Sequence, residues 1–286
     1  ILGGWFVTAI LGFLGSFILT ILFWWGGWVV AVVFFVLMLL FLWRTTVAHN
    51  RKIEQETQVK QGFYTEAVES IEWLREAGSE KLRKELLEVS KIYFLTIHGL
   101  MSENIQQVRE AAEKSSVLQQ SVKSFKGELF RAHSQLPEES QDAGHLFVQA
   151  LDYLNELSNT LNIMALPVYT HIENQHKVLT SSQNEDVALL LDEMASFLNY
   201  MIHLEKEKRF EDMAELKRRQ NRAMDLIEDF SLTQIRRIRA GEGKTRVNVI
   251  YMELLGETKN LLIYSYNLFQ ALRDFHVQTR SGKFGF

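Results

Sequence analysis

The first 43 residues contain no Asp, Glu, Lys, Arg or His, and the first charge of the chain is Arg44. One membrane-spanning helix needs about 20 apolar residues, so a run of this length matches two spans joined by a tight turn. The tryptophans mark the levels. Trp5 stands near one end, Trp24, Trp25 and Trp28 cluster in the middle, and Trp43 closes the run. Indole rings favour the headgroup region, being apolar in body and polar at one edge. As helix, Trp5 to Trp24 rises about 28 Å and Trp28 to Trp43 about 22 Å, comparable with a hydrocarbon core. Gly26-Gly27 supplies the turn. The expectation is a helical hairpin with spans near 4–23 and 27–43. A signal peptide would need a basic start and a single short apolar core.

Gly3, Gly4, Gly12, Gly15 and Ser16 put small residues along the first span, which is how membrane helices approach neighbours closely. With one partner span in the chain, and with Ile rather than Met at position 1, the expectation is the C-terminal piece of a larger membrane protein. Arg44, Arg51 and Lys52 follow the second span, and no positive charge lies at the hairpin tip. The positive-inside rule places everything after the hairpin in the cytoplasm. All 31 basic and 35 acidic side chains lie beyond the apolar run, so the averages of 47% hydrophobic and 23% charged conceal two materials. The chain has no cysteine, which excludes disulfides and thiol chemistry. Its net charge of −4 gives no electrostatic case for nucleic-acid binding.

After Arg44 the pattern is helical throughout. Leu82, Leu86, Val89, Tyr93, Ile97 and Leu100 form one stripe at spacings of three and four, and Val187, Leu190, Leu191, Met194, Phe197, Leu198 and Met201 form another. Sustained alternation and Asn-Gly or Asp-Gly hairpin turns are absent. Breaks near 76–79, 101–104, 134–137, 179–182, 205–209 and 241–243 outline helices near 80–101, 104–134, 138–176, 184–205, 208–239 and 245–279. The expected fold class is all-α: a transmembrane hairpin (1–43), a linker helix (44–79), and two tandem three-helix repeats (80–179 and 180–286).

The third helices of the two sets carry related motifs 101 residues apart. Asp152-Tyr-Leu-Asn-Glu156-Leu-Ser-Asn159 and Glu253-Leu-Leu-Gly-Glu257-Thr-Lys-Asn260 both read acid-x-x-x-Glu-x-x-Asn. Positions i, i+4 and i+7 share a helix face, so each motif points two carboxylates and an amide one way. Like charges at this spacing cost helix stability, and a bound cation would relieve them. A solvated acidic face is the plainer alternative. A second cluster, Arg236, Arg237, Arg239, Lys244 and Arg246, surrounds a helix start and suits an anion or a lipid headgroup.

Two three-helix repeats with an acid-x-x-x-acid motif on each last helix resemble the PhoU family of phosphate-signalling proteins, most closely at Glu253-Leu-Leu-Gly-Glu257. The resemblance implies divalent or iron-type metal binding at Asp152, Glu156, Glu253 and Glu257, with Asn159 and Asn260 as supporting amides. Both repeats carry Glu where that family's motif has its second Asp. Gly3-Gly4-Trp5-Phe6-Val7-Thr8-Ala9 resembles the last spans of PiT-type inorganic phosphate transporters, some of which carry a PhoU-like extension. Together these resemblances imply inorganic phosphate transport across a bacterial inner membrane. The chain would supply the final spans and a cytoplasmic regulatory domain, and an upstream transmembrane core would bind the substrate. The alternatives are a membrane-anchored scaffold that transports nothing, and a homodimerisation module.

Other signals carry less. Ala240-Gly-Glu-Gly-Lys-Thr245 lacks the first glycine of a phosphate loop, because Ile238 occupies that place and no strand precedes it. Lys217, Arg218, Arg219 and Arg222 follow Glu211, Asp212 and Glu215 and read as ion-pair decoration of a helix. His98 and His203 fall among apolar positions and are expected inside the bundle or at its boundary. His171 and His176 are five apart, off a common helix face. No Ser-His-Asp arrangement stands out, and an enzyme is not expected.

Overall fold

The computed structural model describes residues 74–133, 138–177 and 179–280, with scattered positions between 12 and 38. The chain divides into two units, residues 1–66 and residues 67–286. In the first unit every described position is helical, and Phe13, Phe17, Trp24, Trp25 and Trp28 are exposed. The Ser16 hydroxyl donates to the Gly12 carbonyl at 2.6 Å, and the Thr20 hydroxyl to the Ser16 carbonyl at 2.8 Å. Polar side chains in an apolar helix are satisfied by their own backbone in this way. Gly26 is helical, not in a turn, as are Trp24, Trp25 and Trp28, while Gly27 lies outside the described residues. Most of the expected spans and the linker helix up to residue 73 also fall outside them.

The second unit is all-helical among its described residues. A π-helical turn, Leu74–Gly78, leads into α1 (Ser79–Met101), followed by α2 (Ile105–His133), α3 (Glu138–Glu173), α4 (Ser181–Lys206), α5 (Met213–Arg239) and α6 (Thr245–Arg280). Each helix begins and ends within a few residues of the sequence expectation. The stripes read from the sequence form the core, with Leu82, Leu86, Ile97, Phe197 and Met201 almost fully buried. Only α4 among the described helices is long and apolar enough to cross a membrane, and its apolar side faces the bundle core.

The helix ends explain the sharp breaks. Thr180 and Gln183 make a reciprocal capping box at the start of α4. The Asn104 side chain accepts from the Gln106 and Gln107 amides at the start of α2. At the helix C-termini a single residue enters the left-handed region: Glu103 (φ 55°), Gln175 (φ 51°), Lys208 (φ 53°) and Gly241 (φ 77°). The next amide then reaches back five residues, as Asn104 N–H does to Gly99 O at 2.9 Å and Arg209 N–H to Leu204 O at 2.9 Å. This closure satisfies carbonyls that the helix itself leaves open.

Helices α1, α2 and α3 pack together, as do α5 with α4 and α6, and the two sets meet through α3–α6 and α1–α4. Two contacts fix the sense of the α3–α6 pair. Phe147 lies edge-on to Phe275 at 5.1 Å at one end, and His176, just past α3, meets Arg246 at the other. The pair is therefore antiparallel. Gln119 of α2 donates to Asn159 of α3 at 2.7 Å, while Gln220 of α5 donates to the Leu262 carbonyl of α6 at 2.9 Å. Those two glutamines, like the acidic motifs, stand 101 residues apart.

Candidate functional site

The antiparallel register decides what the acidic motifs can do. Residues of α3 and α6 that lie side by side have numbers adding to about 422, as 147 with 275 and 176 with 246 show. Glu253 thus lies level with residue 169 and Glu257 with residue 165. At about 1.5 Å per residue, Asp152 and Glu253 stand about 25 Å apart along the axis, and Glu156 and Glu257 about 14 Å. Among the described residues no three His, Asp or Glu side chains gather where they could hold a metal ion. The two motifs therefore stand as separate pairs of acids, because residues 101 apart coincide only near position 160.

The individual side chains agree with that separation. Asp152 is exposed and paired with Lys126 at 2.7 Å. Glu156 and Glu253 are exposed, and Glu257 is half-buried. Asn159 is engaged by Gln119, and Asn260 donates to Glu257 at 3.1 Å.

The basic cluster divides into two kinds of residue. Arg237 is largely buried and donates to Asp186 at 2.6 Å, and the Tyr251 hydroxyl donates to the same carboxylate oxygen at 2.8 Å. The hydrogen bond to Asp186 raises the Arg237 pKa, and burial raises that of Tyr251. This triad ties α4, α5 and α6 together, so Arg237 is not available to an anion, contrary to the sequence expectation. Arg246 donates to the His176 ring. Arg236, Arg239 and Lys244 are exposed and have no acidic partner among the described residues. Beneath them lies a buried amide network. Gln183 donates to Gln234 at 3.1 Å, Gln234 to Asn248 at 2.9 Å, and Asn248 to the Glu242 carbonyl at 3.2 Å.

Two open cavities flank these elements. One, of about 480 Å³, lies between α3 and α6 and is lined by His171, His176, Thr245, Arg246 and Glu253. The other, of about 710 Å³, lies between α1, α2 and α4, with Phe94, Leu95, His98, Gln107 and Asn199 in its walls. The His171 and His176 rings sit 5.3 Å apart, edge to face. They meet because α3 ends at Glu173 and the chain turns back, which a spacing rule for continuous helix does not foresee. His98 and His203 are exposed, while among the described residues His171 and His276 are the buried histidines. The cluster around Arg218, Arg219 and Arg222 is ion-paired to Glu215 and Glu193, as expected.

One polar group escaped the sequence reading. Glu205, near the end of α4, is 4% exposed, and its Oε2 has no hydrogen-bond partner among the described residues. Its ion-pair contact is Arg83 of α1, with Nε at 3.7 Å, and that guanidinium is already hydrogen-bonded to Glu80 at 2.6 and 3.0 Å. Burial pushes the Glu205 pKa up to about 7, opposed by Arg83 and Lys208 and reinforced by Glu80. The signal was present: Leu198, Met201 and Glu205 continue one helical stripe across a charged segment.

No protein-family model matches the sequence. No curated protein matches it either. Among solved structures, the phosphate transport system regulatory protein PhoU from Streptococcus pneumoniae superposes with a TM-score of 0.59 at 11% identity, over 73% of this chain and 98% of that one. The bundle has a PhoU-like fold. At this identity the likeness speaks for architecture, and function has to be argued from the residues.

Proposed function

We propose that this chain is the membrane-anchored regulatory part of a bacterial phosphate uptake system. The observation that carries the reading is a PhoU-like bundle on the same chain as 43 uncharged residues. Spans within the first 43 residues cross the inner membrane, and Arg44, Arg51 and Lys52 hold the bundle in the cytoplasm. In its finer form the proposal makes these the last spans of a PiT-type transporter, whose remaining spans bind inorganic phosphate. The hairpin has no charged pathway residue and moves nothing by itself. The bundle docks against the transport core and alters its opening, a role that needs an interaction surface and no catalytic group.

A second reading is a membrane-anchored scaffold without transport. It is favoured by the wide separation of Asp152 and Glu156 from Glu253 and Glu257, which leaves no shared metal centre to sense or store an ion. Phosphate uptake into vesicles carrying the whole transport system, measured with and without residues 80–279, separates the two. A changed rate or a changed response to phosphate supports the regulatory reading. Identical uptake curves sink it.

A further inference from the structure

We propose that the C-terminal end of α5, with the turn into α6, docks on an anionic bilayer surface. Leu232, Ile235 and Ile238 follow one another at intervals of three and are 48%, 40% and 45% exposed. Arg236 and Arg239 stand on the same turns, and Lys244 follows across the turn. From residue 230 to residue 246 there are five basic side chains against one acid, Glu242, in a chain whose net charge is −4. Arg237 is held by Asp186 and Arg246 by His176, which leaves Arg236, Arg239 and Lys244 to face outward. The acids of α5 are Glu215, Asp225, Glu228 and Asp229, and none follows residue 229, so the basic and apolar surface is confined to the last two turns of the helix.

Complementing the helix dipole accounts for cations at a helix C-terminus. It does not account for three aliphatic side chains left in water beside them. Apolar and basic groups together on one helix face are what an acidic lipid surface takes up, the first into the acyl boundary and the second against the headgroups. The surface is also held in shape. Gly241 and Gly243 take φ of 77° and 75°, and a Cβ on Gly243 would meet Asn248 Oδ1 at 2.6 Å. Asn248 in turn belongs to the buried amide network, so the turn carrying Lys244 is bolted to the core.

The occupant follows from charge complementarity and from the apolar segment, which puts a bilayer within reach of the bundle; in that respect the inference rests on the anchored reading above. Each cation contributes about fivefold to binding at an acidic surface, so replacing three lowers it about a hundredfold. The absence of cysteine makes single-site labelling clean. The full chain carrying Ile238→Cys with an environment-sensitive dye is reconstituted in nanodiscs of phosphatidylcholine, with or without phosphatidylglycerol, and quenched with neutral acrylamide. Quenching should fall severalfold in the anionic discs and recover when Arg236, Arg239 and Lys244 are all changed to Gln. The same dye on Val117→Cys of α2, 66% exposed, should be quenched equally in both and controls for effects away from the docking surface, while far-UV circular dichroism of each labelled chain reports that the bundle is folded. Equal quenching at 238 in the two lipids overturns the proposal. Failure of the chain to enter nanodiscs strikes the anchored reading alone. The label is then read with the chain added to vesicles of the same two compositions, where the same contrast decides the docking.

Discussion

Replacing Glu205 with Gln should abolish a pH dependence that the wild-type bundle carries at the α1–α4 contact. The carboxyl is buried and its pKa is pushed up to about 7, from an ordinary value of 4.5. A folded-state pKa above the unfolded one means that the native protein holds the proton more tightly. The stabilisation is complete below pH 4.5 and is lost as the pH rises through 7. Between pH 5 and pH 8 the loss is about 2 kcal/mol, worked from those two pKa values. In a chain of this size that corresponds to about 5 °C in Tm. Far-UV circular dichroism of the full chain in detergent, melted at both pH values, gives the wild-type difference. Glu205→Gln keeps the shape and cannot ionise, so its difference should shrink by about 5 °C, with its gain appearing at pH 8. Arg83→Met removes the nearer of the two cations that favour the carboxylate, Lys208 being the other, and should move the transition to higher pH. If Glu205→Gln and wild type show the same pH difference, the buried carboxyl is not the titrating group.

Three further outcomes follow from the geometry. The antiparallel register of α3 and α6 predicts that the two acidic motifs act independently. In a calorimetric titration with Mn²⁺, Asp152→Ala and Glu257→Ala should have additive effects or none, and a single site lost with either change would contradict the register. Asp186→Asn leaves the Arg237 guanidinium buried without its counter-charge and should cost about 3 kcal/mol in thermal melts. Tyr251→Phe removes only a hydrogen bond and should cost about 1 kcal/mol. Glu103→Gly and Lys208→Gly relieve left-handed backbone at helix ends and should each stabilise by about 1 kcal/mol, seen as a rise in Tm at neutral pH.

The helices were legible because burial imposes a period: the stripe from Leu82 to Leu100 and that from Val187 to Met201 both lie in the core. The helix ends were legible through polar segments such as Met101-Ser-Glu-Asn104, although three of the four left-handed positions are not glycine. The meaning of the acidic motifs was not legible. A shared face on each helix is a local property, whereas convergence depends on the direction and register in which two helices pack. The basic cluster was half legible for a related reason. Five cations in a row look alike, and only the fold shows that Asp186, 51 residues earlier, claims Arg237. Glu205 was only half legible: it continues the stripe of Leu198 and Met201, yet a glutamate between Leu204 and Lys206 also reads as the polar end of a helix until α1 is packed over it.

The central claim is that the bundle regulates transport through its attachment to the membrane segment. It is tested most directly by inserting a protease site within residues 50–60 and following phosphate uptake in vesicles, with the bundle accessible, before and after cleavage. The account predicts that cutting this linker changes the uptake rate, or its response to phosphate, toward that of a chain lacking residues 80–279. Uptake that is unchanged after complete cleavage, in a system where removing the bundle does change it, would contradict the role given to the tether.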